Sequence, residues 1–275
     1  MNRATRSWGT AAALAAAVVA AWPASPARAC GNYTHVWAAA DAVRYVPAGP
    51  LKDFLAREGM VNVLRNGAMY PDGGYAVNDG YGEISHWEPF HTKYLEWIRL
   101  EYPPPWNDEA ARHVAFLMGM TAHGLADQMY DGMYLERHEF FDPDNGEAPF
   151  GLDGATDSCF AATQGPMELP DAWMPAEELA PLYDDLGHHV EADVIAQGSA
   201  LVPFAIAHAN DEAANPGKIA QLTAFYPWAC QHQDDPLQPG SPVTMGPAIA
   251  AYWQVVWDRL HGQEAVWRRQ HLGNG

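Results

Sequence analysis

Apolar positions in this chain recur at three- and four-residue spacing, and alternation over more than four residues is hard to find. That period belongs to helices and not to strands. The sequence therefore reads as all-α: a single helical domain with long connecting loops. Breakers set the expected boundaries. A first helix is expected over residues 34–46, closed by Pro47, and a second over 51–66, with Gly67 as its stop. Residues 70–85 are rich in Gly, Asp and Asn and read as a long loop. A third helix runs from His86 or Pro89 to Leu100, ahead of Pro103, Pro104 and Pro105. Asn107 or Asp108 caps a long helix from Glu109 through Glu136. The Gly- and Pro-rich region 141–173 joins this to a helix over 176–207, and residues 248–269 form a last amphipathic helix.

The first residues follow another pattern. Arg3 and Arg6 precede the apolar run 11–21, and Ala27-Arg28-Ala29 stands directly before Cys30. This is the layout of an export signal with a small-x-small cleavage site, and the run is shorter than the roughly 20 residues of a membrane span. Residues 1–29 are expected to be removed, leaving 30–275 as one domain, secreted or periplasmic. A retained anchor leaves the cleavage site unexplained, and Arg28 argues against a lipoprotein box that would acylate Cys30.

Charge narrows the function. Acidic residues number 34 against 15 basic ones, for a formal net charge of −19, and three of the basic residues lie in the leader. A generic nucleic-acid binder needs a basic footprint, so no nucleic-acid partner is expected, whereas an acidic protein gathers cations. Of the three cysteines, Cys159 and Cys230 can pair in an oxidising compartment. None forms a C-x-x-C pair, which excludes a finger-type thiolate zinc site.

The strongest chemical signal lies in the long helix. Residues four apart share a helix face, so His123, Asp127 and Asp131 make a column of one imidazole and two carboxylates amid Val114, Phe116, Leu117, Met118 and Met120. Buried carboxylates are costly unless paired or metal-bound, and imidazole with carboxylate is a ligand set zinc accepts. His189-Val-Glu-Ala-Asp193 repeats the spacing on another expected helix, and bundles point such pairs inward to bind metals. Asp72 follows Pro71 in a turn, His86 stands at a helix entrance, and His35 lies five residues after Cys30. The α-amine and carbonyl of a processed Cys30 can chelate a metal beside His35.

In order along the chain, Cys30-Gly, Thr34-His35, Tyr70-Pro-Asp72, His86-Trp-x-Pro-Phe90, Tyr102-Pro-x-Pro-Trp106, Val114-Ala-Phe-Leu117 and His123-x-x-x-Asp127 resemble the zinc-dependent phospholipase C/D family. The catalytic domain of glycosylphosphatidylinositol-specific phospholipase D shows the resemblance most clearly, from Cys30 to about Asp131, and more loosely through His189 and Asp193. The β-propeller that follows this domain in the animal enzyme has no expected counterpart within the 275 residues. The resemblance implies three zinc ions. One takes Asp72, His86, His123 and Asp127; another takes Asp131, His189 and Asp193. The third takes the amino and carbonyl groups of Cys30 with His35, and shares Asp127 as a bridge. Two departures stand out: many relatives carry His at the position of Asp131, and the bacterial phospholipases begin the mature chain with Trp.

The implied activity is that of a phosphoric diester hydrolase of phospholipase C or D type. Metal-activated water attacks the phosphodiester of a phospholipid or glycosylphosphatidylinositol, and Asp72 is both ligand and catalytic proton acceptor. Some of the 11 Trp and 12 Tyr residues are available for peripheral contact with a membrane surface. A zinc-dependent nuclease of the same helical architecture and a non-catalytic metal- or lipid-binding relative are the alternatives. Oligomeric state and the choice of ester bond are open at this level.

Overall fold

The computed structural model describes residues 30–142, 151–169 and 171–263. Among these the chain is helical throughout, with no strand, as the apolar period requires. The expected leader, residues 1–29, lies outside the described residues. The last helix, expected over 248–269, runs from Pro242 to Leu260 and stops ahead of Gly262 (φ +71°), with residues 264–269 outside the described residues.

A central helix organises the body. Asn107 accepts a hydrogen bond from the Ala110 backbone N–H at 2.8 Å, and Asp108 and Glu109 place negative charge in the first turn. In chain order the helices are α1 Asn32–Ala42, α2 Pro50–Leu55, α3 Met60–Met69, α4 Asp72–Ala76, α5 Tyr81–Ser85, α6 Glu88–Glu101 and the central α7 Asp108–Met129. A π turn, Tyr130–Leu135, leads into α8 Glu136–Phe141. Then come α9 Leu152–Gln164, α10 Ala176–Asp184, α11 Ala192–Leu201, α12 Pro203–Ala213, α13 Pro216–Phe225, α14 Pro227–His232 and α15 Pro242–Leu260.

Helices α1, α3, α6 and α15 surround α7, which explains why nearly all of its residues from Ala110 to Asp127 are buried. The α3–α7 crossing is close because it is made by glycines: a Cβ on Gly67 would meet the Phe116 carbonyl oxygen at 2.0 Å, and one on Gly119 the Leu64 carbonyl oxygen at 2.0 Å. Gly67 therefore sits inside α3 as a contact residue and does not stop the helix. Trp253 of α15 closes the other side, its indole N–H donating to the Met118 carbonyl at 2.7 Å.

Several boundaries differ from the sequence reading. The expected 51–66 helix breaks at Gly59, whose φ of +79° suits glycine. The expected loop 70–85 holds α4 and α5, and the connection 141–173 holds α9. The expected 176–207 helix ends at Asp184, turns at Gly187 (φ +82°) and restarts as α11 and α12. Cys159 of α9 and Cys230 of α14 form a disulfide, with Cα atoms 5.4 Å apart.

Candidate metal centre

Five of the expected ligands converge on α7. His123 and Asp127 are one turn apart on its buried face, 0% and 2% exposed. α1 lays His35 alongside, the His35 and His123 rings stacked with centroids 3.5 Å apart. His86, which follows α5, comes against α7 because Gly124 has no side chain; a Cβ there would meet the His86 carbonyl oxygen at 2.2 Å. Asp72 opens α4.

His86 Nε2 lies 3.0 Å from His123 Nε2, 3.5 Å from Asp72 Oδ1 and 3.6 Å from Asp127 Oδ2. His123 Nε2 lies 3.3 Å from Asp127 Oδ2 and 3.8 Å from Asp72 Oδ1. A zinc ion with bonds of about 2.0–2.2 Å to four such donors spaces them roughly 3.3–3.5 Å apart when tetrahedral. His86, His123 and Asp127 form one group close enough to hold a metal, and His35, Asp72 and His123 another. Of the spacings above, those of 3.0 and 3.8 Å lie a few tenths of an ångström outside that range. On the other side of Asp127, Oδ1 lies 3.2 Å from His35 Nε2 and 3.8 Å from Cys30 Sγ. Asp127 Oδ2 is buried without a hydrogen-bond partner, an orphan that costs about 1–3 kcal/mol unless something else engages it. The donor types, their spacing and this orphan fit a pair of metal ions sharing Asp127.

The outer nitrogens are also fixed. His123 Nδ1–H donates to the Ala68 carbonyl at 2.7 Å and His86 Nδ1–H to the Gly82 carbonyl at 2.6 Å. Each leaves its Nε2 facing the cluster, the arrangement by which outer bonds orient metal-ligating imidazoles.

Charges respond in opposite directions. Burial resists ionising Asp127, yet His35 and His123 beside it hold its carboxyl far below the usual carboxylate range. Burial likewise resists charge on Asp72, but His123, His86 and His35 depress its pKa. Burial disfavours an imidazolium at His86, and the Asp72 and Asp127 carboxylates outweigh it, taking its pKa up to about 9. His123 goes the other way, lowered by burial and by His35. These groups draw protons to the place where a cation would sit, and protons and metal ions compete for such lone pairs. Asp72, its side chain 14% exposed against 3–4% or less for its neighbours, stands at the mouth. Tyr75 and exposed Trp87 flank it, both donating to the Glu83 carboxylate at 2.8 Å.

The third expected set does not come together. His189 precedes α11, so it shares no helix face with Asp193; its side chain is 71% exposed and pairs with Asp184 and Glu191. Asp193 is exposed in the first turn of α11. Asp131 falls in the π turn, where i→i+5 bonding departs from the α-helical spacing that the column assumed. It belongs to none of the His, Cys, Asp and Glu groupings close enough to hold a metal among the described residues.

Sequence reasoning missed two acidic residues of α9. The Asp157 carboxylate accepts from the backbone N–H groups of Tyr33 (2.7 Å) and Thr34 (3.0 Å) and from the Thr34 hydroxyl (2.7 Å). It thereby caps α1 from a separate helix and fixes the segment carrying Cys30 and His35. Asp153, one turn earlier, has its pKa pushed well up by burial and by Asp157, Asp72, Asp127 and Asp131. The apolar spacing of Leu152, Ala155, Cys159 and Phe160 was the available signal for this helix.

Part of the chain is similar to known proteins. A 118-residue segment is 30% identical to phosphatidylinositol-glycan-specific phospholipase D from Bos taurus, covering 39% of this chain and 14% of that protein. The enzyme of the same name from Rattus norvegicus is 28% identical over 123 residues, 41% of this chain and 14% of its own length. That from Homo sapiens is 40% identical over 55 residues, 20% of this chain and 6% of its own length. The similarity thus spans about one seventh, or less, of these relatives. No family model matches the chain, and no solved structure matches it.

Proposed function

We propose that this chain is a secreted, zinc-dependent phosphodiesterase that hydrolyses phosphodiester bonds of phospholipid or glycosylphosphatidylinositol. The partial similarity to enzymes named for that activity supports the substrate class. The observation that carries the reading is Asp127, one buried carboxylate with an oxygen in each of two donor sets. In this reading residues 1–29 are the removed leader and 30–275 the catalytic domain, with Asp72, His86, His123 and Asp127 holding one ion and Cys30, His35 and Asp127 another. Asp131, His189 and Asp193 have no part in it.

Bound zinc supplies Lewis acidity toward a phosphoryl oxygen and lowers the pKa of a coordinated water toward about 7. The chain's own groups supply the rest. The carbonyls of Ala68 and Gly82 hold the two imidazoles in one tautomer and orientation. Asp72, ionised and nearest the opening, takes the proton from the attacking water. Tyr75 and Trp87 offer an aromatic edge to the substrate at the mouth. Just behind α4, α11 and α12 form an apolar stretch, Ala192–Ala213, with no Lys or Arg and most of its length not buried. This surface suits contact with lipid, and it packs against the element that bears Asp72.

The test is hydrolysis of bis-p-nitrophenyl phosphate, phosphatidylcholine and a phosphatidylinositol glycan, each before and after exhaustive chelation. Activity on the lipids should vanish with zinc and return on its addition. Activity that survives chelation overturns the metal reading, and cleavage of single-stranded DNA with no lipid cleavage replaces the substrate class. Separating diacylglycerol from phosphatidic acid among the products then decides which ester bond breaks.

A further inference from the structure

We infer that Cys30 binds metal through its side-chain sulfur: the Cys30 thiolate is a third protein donor, with His35 and Asp127, to the second ion of the centre. The inference rests on the metal reading above and goes beyond it, since sequence reasoning assigned Cys30 a role only through its backbone.

The thiol is 2% exposed and points into the cluster. Its sulfur lies 3.4 Å from His35 Nε2, 3.5 Å from His35 Nδ1 and 3.8 Å from Asp127 Oδ1, while His35 Nε2 and Asp127 Oδ1 are 3.2 Å apart. A zinc ion with bonds of about 2.3 Å to sulfur and 2.0–2.2 Å to nitrogen and oxygen spaces three tetrahedral donors roughly 3.3–3.6 Å apart. The observed triangle matches to within a few tenths of an ångström. Cys30, His35 and Asp127 are all buried, and their donor atoms lie close enough together to hold one ion. Nothing competes for the sulfur: Cys159 and Cys230 are bonded to each other, so Cys30 is the free cysteine of the chain.

On binding, the S–H proton leaves to solvent as the sulfur–metal bond forms, and no electron is transferred. The α-amine exposed by leader removal then adds to a set that the thiolate already anchors. Sulfur softens this site relative to the His2Asp2 site beside it, so the two ions differ in their ligand preferences.

The experiment loads the chain beginning at Cys30 with cobalt(II) in place of zinc and reads cobalt content together with the near-ultraviolet thiolate-to-cobalt charge-transfer band. With one free thiol the band has one source. Wild type should bind two cobalt ions and show an intense band. Cys30→Ser should abolish the band and weaken one of the two ions at least tenfold, leaving the other unchanged. A version with one residue retained before Cys30 should keep the band. Two bound cobalt ions without the band, or a band that survives Cys30→Ser, overturns the thiolate assignment and leaves the metal reading standing. Wild type that binds no cobalt or zinc overturns both.

Discussion

Asp157 offers the sharpest energetic test, because its carboxylate holds the start of α1, which carries His35 and follows Cys30. Its carboxylate takes three hydrogen bonds from the start of α1. At about 1 kcal/mol net for each bond, Asp157→Ala should cost roughly 3 kcal/mol and leave two backbone N–H groups unpaired. In a chain of this size that lowers Tm by roughly 6–12 °C. Asp157→Asn should cost less, about 1–2 kcal/mol. One amide oxygen still serves Thr34, and the neutral amide escapes the burial that pushes the Asp157 pKa up to about 6 against the pull of its hydrogen bonds. The sign of the pH effect follows. Between the unfolded value near 4 and about 6 the folded state binds the extra proton, so the wild-type contribution falls as pH rises across that window. Chelated wild type should therefore gain on Asp157→Asn by up to roughly 3 kcal/mol as pH is lowered from 6 to 4. Gly31→Ala should imitate the loss, because its methyl would sit 2.4 Å from Asp157 Oδ2 and 2.9 Å from the Asp153 carbonyl oxygen. The assay is thermal unfolding of chelated and zinc-loaded protein, with zinc content measured in parallel. Unchanged Tm and unchanged zinc in both Asp157→Ala and Gly31→Ala would refute the argument that α9 clamps α1.

Other outcomes follow from the same geometry. His123→Ala removes a donor from the four-ligand set and should eliminate phosphodiesterase activity and at least one equivalent of zinc by elemental analysis; a fully active variant would show the site is misplaced. His189→Ala and Asp193→Asn alter exposed side chains outside the cluster, so stability should stay within about 0.5 kcal/mol and zinc content should not change, and zinc loss would reinstate them as ligands. The raised His86 pKa stabilises the metal-free protein below about pH 6.5, and that contribution is lost as pH climbs through about 9. The Tm gap between zinc-loaded and chelated protein should accordingly widen over that range, and a constant gap would contradict it. Phe204→Glu places charge on the exposed face of α12 and should lower binding to phosphatidylcholine vesicles several-fold while sparing bis-p-nitrophenyl phosphate hydrolysis; equal loss on both substrates would count against a lipid-facing role.

The residues of α7 show how far pattern alone reaches. Four-residue spacing puts His123 and Asp127 on one face whatever surrounds them, so that pairing was legible in the sequence. The same rule does not carry on to Asp131, which falls in the π turn, and it failed at His189, where Gly187 and the extended residues after it end the helix that the pattern assumed. Helical spacing is informative only while the backbone stays helical, and such interruptions are settled by packing.

The sequence by itself determined an all-α chain, because its apolar period admits no sheet. It also put an imidazole and a carboxylate, His123 and Asp127, one turn apart on a single helix face. Only the tertiary structure decided which other side chains lie beside that pair and beside α1. Asp153 and Asp157 lie in a stretch whose glycines disguise a helix, and their place beside α1 depends on contacts between residues more than a hundred positions apart. The thiol of Cys30 belongs to the same class: its spacing to His35 is local, but its approach to Asp127 spans 97 residues. Distances of that kind are set by how helices stack, and close stacking here depends on glycines such as Gly67, Gly119 and Gly124, whose missing side chains become informative only when their neighbours are in place.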